Sequence, residues 1–294
     1  MKGGIGKSGL LVSYAVLLVG CAARSAPPAV ELRLVEAAPS TDTSELAAVL
    51  KAVVLKEGRF DPTALKRLEG TLDAQLRKLA ITGPTVTPEL FPTYGSRWAY
   101  WYNARAAWSM KLALLAGCPR RIGPESLWRR PFPLDGRQMS LEQIDRILLA
   151  EARRTGEFRL AACAPGVTVS YQGLPGEPFS AETIPTALAR SLDRLILDER
   201  RFVLDVEHRR VLVPPMLWAC RDMVIRRYQE QYGIREVTLL TALGPHVGPA
   251  ARRRLEEAIG YAAADRGRVA ELAIPGRRMF YPGKLGRIER PGPS

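Results

Sequence analysis

Residues Ser96 to Cys118, SRWAYWYNARAAWSMKLALLAGC, constrain the fold more than any other stretch of the chain. Trp98, Trp101, Tyr102, Trp108, Leu112 and Leu115 recur at intervals of three and four, the spacing that lines side chains along one face of a helix. Gly117 and Pro119 mark where that helix stops. An apolar face this wide and this aromatic reads as buried against the rest of the domain. Its tryptophans read as core before they read as a sugar-stacking platform. Asn103 interrupts the pattern, because a short amide in mid-helix competes for backbone hydrogen bonds and weakens the helix. It reads as a buried anchor that satisfies backbone groups of a neighbouring element, with a ligand-orienting role as the alternative.

The flanking segments supply the cover. Glu45–Val54 has helical apolar spacing, and a second helix is expected from Pro62 to about Leu79. Ala181–Leu197, Leu217–Tyr232 and Pro249–Ala264 read as amphipathic helices. Phe202–Val206 and Arg209–Val213 alternate with period two around Glu207-His208, which predicts a hairpin. Together these define an α+β fold over residues 45–274: a helix-rich single domain with a small antiparallel sheet. Some domains of that make-up are papain-like or transglutaminase-like.

Three short motifs, in order, resemble a family. Tyr100-Trp101-Tyr102-Asn103-Ala104 is similar to the Tyr-Asn-Ala end of the hallmark helix of the bacterial and plant "domain of unknown function 547" family. Met139-Ser140-Leu141-Glu142-Gln143-Ile144 is similar to its Ser-Leu helix start, and Ser140 with Gln143 makes a capping box on physical grounds. Val213-Pro214-Pro215-Met216-Leu217-Trp218, followed by Asp222, is similar to its strand leading into a tryptophan-bearing helix. The resemblance spans roughly residues 45–235 and implies an uncharacterised α+β domain, with Trp101, Tyr102, Asn103, Ser140 and Trp218 as structural motif residues. Where the family carries a His-Phe-Ala-Leu strand, Asn-Cys and Ser-Cys-Pro, this chain has Phe158 to Tyr171, FRLAACAPGVTVSY. Cys163 matches the first cysteine. The histidine falls on Phe158 and the asparagine on Ala162, so the family's histidine and second cysteine have no counterpart here.

The chain opens MKGGIGKSGLL, and Lys2–Ser8 resembles a phosphate-binding loop. Such a loop needs a strand before it, and none fits here, so no nucleotide is expected at Lys2–Ser8. Instead Lys2 and Lys7 precede an apolar run from Leu10 to Val19, the pattern of a secretory signal rather than of a spanning helix. Leu18-Val19-Gly20-Cys21 resembles the lipobox of bacterial lipoproteins. That resemblance implies a signal peptide over 1–20, a lipidated Cys21, and export to an inner or outer cell membrane. Acyl chains contribute about 0.8 kcal/mol per buried CH₂, so several of them anchor the chain to the bilayer. Residues 21–44, rich in Ala, Pro and Ser, read as a flexible tether, and 275–294 as a basic Pro/Gly-rich tail.

The net charge of +13 comes from scattered arginine doublets such as Arg120-Arg121, Arg153-Arg154 and Arg226-Arg227. Scattered in this way they read first as a solvated basic surface; the alternative is a polyanion-binding face, whose partners in an exported protein are anionic lipids or acidic envelope polymers rather than nucleic acid. With Cys21 used, Cys118, Cys163 and Cys220 remain, an odd number that cannot all pair internally. With two histidines and no Cys-x-x-Cys, a structural zinc centre is not expected, and no cofactor is implied.

Two function classes stay open. One is an envelope lipoprotein with a binding, scaffolding or envelope-maintenance role. The other is a thiol-dependent hydrolase or acyl transferase acting on envelope peptides or acyl groups, with Cys163 as nucleophile, His208 as base and Asn103 or Asp205 as orienter. His246 has equal claim to be the base. The apolar run around Cys163 favours an inert buried thiol, and His208 reads as a solvated turn residue. Glu142 with Asp145, and Glu256-Glu257, read as solvated salt-bridge partners on helix faces.

Overall fold

The computed structural model describes residues 28–32, 38–269 and 271–275. The Lys2–Ser8 loop, the signal segment, Cys21 and the basic tail from residue 276 onward lie outside the described residues.

The fold is built around one helix, as its composition demands. Helices α1 (Ser44–Val53), α2 (Pro62–Arg67) and α3 (Glu69–Ile81) lead to α4 (Tyr94–Leu115). Every residue of α4 from Ala99 to Ala113 is buried, so the helix is enclosed all round rather than along one face. Thr93 caps its start reciprocally with Ser96, and the chain leaves its end through Gly117 and Cys118 at positive φ. Trp101, Tyr102 and Trp108 lie in the core, with the Trp108 ring stacked on Phe132 at 4.2 Å.

The helix expected from Pro62 is two helices, broken at Leu68 (φ −101°, ψ 14°). Asp61 caps the first through the Thr63 and Ala64 amides, and Gly70 lowers the propensity to continue across the break. Part of the stretch expected as a tether is tied down: Val30 is buried and its N–H donates to Pro131 O, while the Ser40 N–H donates to Thr82 Oγ1.

A hairpin of β1 (Phe132–Leu134) and β2 (Arg137–Met139) follows α4, turning on Asp135-Gly136 with φ of 52° and 71°. Asp135 is itself buried, accepting from the Thr85 and Val86 amides. Next come α5 (Leu141–Thr155), with Ser140 and Gln143 as a reciprocal cap, and the single turn α6 (Arg159–Ala162). A strand is the family-like expectation at 158–171, and none forms. Pro165 and Gly166 interrupt the segment, and it folds as α6 plus an irregular loop whose Val167 and Val169 pair loosely with Glu271–Ala273.

The remaining elements are α7 (Ile184–Leu197), the hairpin β3 (Val203–Asp205) and β4 (Arg210–Val213), α8 (Pro215–Ala219), α9 (Arg221–Tyr232), α10 (Leu239–Leu243), α11 (Pro249–Glu256) and β5 (Ala262–Asp265). The helix expected over Leu217–Tyr232 is interrupted at Cys220, between α8 and α9. The one expected over Pro249–Ala264 ends at Glu256; Gly260 at φ 81° turns the chain, and β5 pairs parallel to β4. Pairing overrides the helix propensity of the Ala-Ala-Ala run. The result is a helix-rich α+β domain with an antiparallel hairpin and a small mixed sheet.

Candidate functional site

Residues 160–175 run without regular structure beyond the single turn of α6, yet all of them are buried. A buried irregular segment strands its backbone polar groups unless side chains reach them. Two arginines do so here. Arg105, from the middle of α4, donates to Pro165 O and is held by Asp145 of α5 at 2.7 Å. Arg201 donates through Nε to Tyr171 O at 2.5 Å and is paired with Asp198.

Two glycines admit the two guanidinium groups. A Cβ on Gly166 would lie 2.8 Å from Arg105 Nη1, and one on Gly173 would lie 2.7 Å from Arg201 Nη2. Gly173 (φ 87°) also lets the loop press against Gly58, whose carbonyl accepts from the Leu174 N–H at 3.2 Å. The Arg105 guanidinium stacks 3.8 Å over the Tyr171 ring, and the Tyr171 hydroxyl donates to Asp145 Oδ2 at 2.6 Å. Asp145 is therefore a buried carboxylate with two charge-assisted partners, not the solvated surface acid that its helix pattern predicts. Burial, the largest influence, drives the Tyr171 phenol well above its ordinary range, and the Asp145 charge adds to it.

Other polar side chains of α4 serve the same end. Tyr102 donates to Leu160 O at 2.8 Å, Tyr100 to Leu79 O at 3.1 Å, and Asn103 bonds both Phe179 O and Phe179 N–H at 2.9 Å. Asn103 is thus committed to backbone. Trp218 is half-buried on α8 with Arg221 4.5 Å over its ring.

Between the clamped loop, the last turns of α7 and the turn 198–201 lies a cavity of about 560 Å³. Leu174, Pro175, Phe179 and Leu197 supply apolar wall, and Gln172, Arg194, Arg200 and Arg201 supply polar groups. Arg200 and Arg201 both bond Asp198. Arg194 bonds only the Ser191 hydroxyl, at 3.2 Å, and no carboxylate pairs with it among the described residues. It is exposed as a residue, while desolvation of its guanidinium, the largest influence, lowers its pKa.

Cys163 walls this cavity but is fully buried. Burial pushes its thiol far above the ordinary range, against the weaker opposing pull of Arg159. Cys220, also buried, is pushed up to about 12 by the same cause. The expected thiol constellation does not assemble: no imidazole hydrogen-bonds Cys163 among the described residues. His208 is exposed at the β3–β4 turn, its Nδ1 2.9 Å from Asp205, and His246 packs edge-on against Phe158 at 5.1 Å. Asp205 is held down to about 2, first by His208 and then by Arg210. Cys118, Cys163 and Cys220 are free thiols.

Among the described residues no His/Cys/Asp/Glu group is arranged to hold a metal, and no helix is long and apolar enough to cross a membrane. Arg105, Tyr171, Gln172, Arg194 and Arg201 are the residues that sequence reasoning passes over, and Asp145 is the one it reads as solvated. The one signal that marks them is the pair Gly166 and Gly173 flanking an apolar loop. No family model matches the chain, and no curated protein or solved structure matches it either.

Proposed function

We propose that this chain is a membrane-anchored envelope lipoprotein whose folded domain is a binding module, with the arginine-lined cavity as its ligand site. The observation that carries the reading is the state of Cys163: this thiol on the cavity wall is fully buried, protonated and without an imidazole among the described residues. A cavity walled in this way holds a ligand but offers it no nucleophile. The Cys21 acyl chains attach the domain to the bilayer, and its arginine-rich surface faces anionic lipids or acidic polymers of the envelope. The resemblance of the α4 and Ser140 motifs to the uncharacterised family fits this role, since those residues act here as backbone anchors and caps.

Two measurements test it. Expressed in a bacterium, the full chain is expected in the membrane fraction, and Cys21→Ser is expected to release it; a wild-type chain that stays soluble overturns the anchor. Iodoacetamide is expected to leave Cys163 unmodified until the domain unfolds, with Cys118 and Cys220 replaced by serine. Rapid alkylation of the folded protein overturns the binding reading in favour of thiol chemistry.

A further inference from the structure

The cavity carries two unmet demands. Gln172 lines it and is 9% exposed, and its Oε1 is buried with no hydrogen-bond partner among the described residues. A buried acceptor left unpaired costs stability, so a donor that reaches it from the cavity gains what the protein alone forgoes. Arg194 also lines the cavity, and its bond goes to a hydroxyl instead of a carboxylate. Its planar fork suits an oxyanion.

Charge fixes which oxyanion. Arg200 and Arg201 both bond Asp198, and Glu199 is paired with Arg254 at 3.6 Å, so Arg194 is the lining cation left without a carboxylate among the described residues. Cys163 adds no charge, being held protonated. One uncompensated cation matches a monoanion better than a phosphate dianion. Leu174, Pro175, Phe179 and Leu197 then call for an apolar body on the same molecule. The volume of about 560 Å³ is in the range of small-molecule pockets.

We infer that the cavity binds a monocarboxylate bearing an adjacent acylated N–H and an apolar side chain, the chemistry shared by N-acyl amino acids and peptide C-termini. The carboxylate meets Arg194, the N–H donates to Gln172 Oε1, and the side chain covers the apolar wall. The inference rests on the reading of the domain as a binding module and adds its ligand class.

Titration calorimetry on the full chain in detergent micelles, with acetyl-leucine as probe, tests it. Saturable binding is expected, weakened about tenfold or more by Arg194→Gln, a change on the exposed face of α7 that leaves the core intact. The methyl ester of acetyl-leucine is expected not to bind, and inorganic phosphate not to displace acetyl-leucine. 4-Methylpentanoate, which lacks the N–H, is expected to bind about fivefold or more weakly to the wild type and equally to Gln172→Met. A tripeptide ending in leucine, compared with acetyl-leucine, assigns the source: tighter binding points to a peptide end, weaker binding to a free N-acyl amino acid. Absence of saturable binding, indifference to Arg194→Gln, or displacement by phosphate overturns the inference. The iodoacetamide assay on the same sample separates the two failures. An inert Cys163 with no acetyl-leucine binding removes only the ligand class, whereas a reactive Cys163 removes the binding reading.

Discussion

Arg105 Nε donates to Asp145 Oδ1 across 2.7 Å, in a pair whose side chains are 1% and 3% exposed. The pair joins the centre of α4 to α5 and, through the Arg105 bond to Pro165 O, fixes the loop that walls the cavity. Arg201 repeats the device from the other side, so the cavity wall is set by two buried cations reaching loop carbonyls. Arg105 is paired with Asp145, and Arg201 with Asp198, which it shares with Arg200; an acid within reach is the condition under which burying charge is tolerable.

Removing one partner of that pair exposes the cost directly. Arg105→Ala and Asp145→Asn are each expected to lower unfolding free energy by about 3–5 kcal/mol, because each leaves the other charge buried and uncompensated. The double replacement Arg105→Met with Asp145→Leu is expected to cost less than either single change, since it removes both charges and keeps volume. Denaturant titration of the three variants checks this. Lys66→Ala, breaking the exposed pair with Glu69, is the control and is expected to leave the midpoint unchanged.

Asn103 holds both polar groups of Phe179. Asn103→Ala strands a buried N–H and a buried C=O, at an expected cost of about 1–3 kcal/mol. Asn103→Asp keeps an acceptor for the Phe179 N–H but brings a carboxylate against Phe179 O, and is expected to cost at least as much. Hydrogen exchange reads the effect locally: protection of the Phe179 amide falls in both variants. An amide still protected in Asn103→Ala contradicts the anchor role.

How much of this was legible follows from what patterns encode. Asn103 stands out because an amide in mid-helix opposes helix propensity, so its anchoring role can be inferred from sequence. Arg105, two residues on, does not stand out, because arginine is a good helix former that ordinarily points to water. Its burial depends on Gly166, Pro165 and Tyr171 arriving from another part of the chain. Asp145 is hidden for the same reason. The Asp135-Gly136 hairpin carries a turn signal in sequence, but β1 and β2 are three residues each, too short to show a period-two pattern beside it. Val167-Thr168-Val169 has strand composition, but the flanking Pro165, Gly166 and Gly173 leave it no regular partner. The Ala262–Asp265 strand has no local signal at all and exists by pairing with β4.

Gly173 tests the geometry of the clamped loop. At φ 87° an added Cβ is strained, and it would also press on Arg201 Nη2 and on the Gly58 carbonyl, 3.0 Å away. Gly173→Ala is expected to cost at least about 1–2 kcal/mol from the backbone conformation alone. Gly176→Ala, three residues on, meets nothing within 4 Å and is the matched control, expected to be neutral within error. Thermal unfolding of the two proteins side by side distinguishes a packed loop from a loose one, which would tolerate both changes.

The buried thiols give the fold an alkaline limit. An unfolded thiol ionises near its ordinary value of 9.0, whereas Cys220 in the fold does so only at about 12 and Cys163 higher still. Above the ordinary value the unfolded chain therefore binds fewer protons than the fold, and stability must fall as pH rises. Below it both states hold their protons and the contribution is fully present. Each thiol adds a slope of about 1.4 kcal/mol per pH unit once the unfolded form is ionised. Denaturant midpoints at about pH 8 and about pH 10 measure the loss, and Cys163→Ala with Cys220→Ala isolates the thiol share, because the buried tyrosines remain in both proteins. The double variant is expected to start less stable, having two cavities, but to lose less between the two pH values. His208→Ala and His246→Ala are expected to leave both the slope and the alkylation rate of Cys163 unchanged, since neither ring hydrogen-bonds the thiol. An alkylation rate that falls in either histidine variant assigns that imidazole to the thiol and returns Cys163 to chemistry.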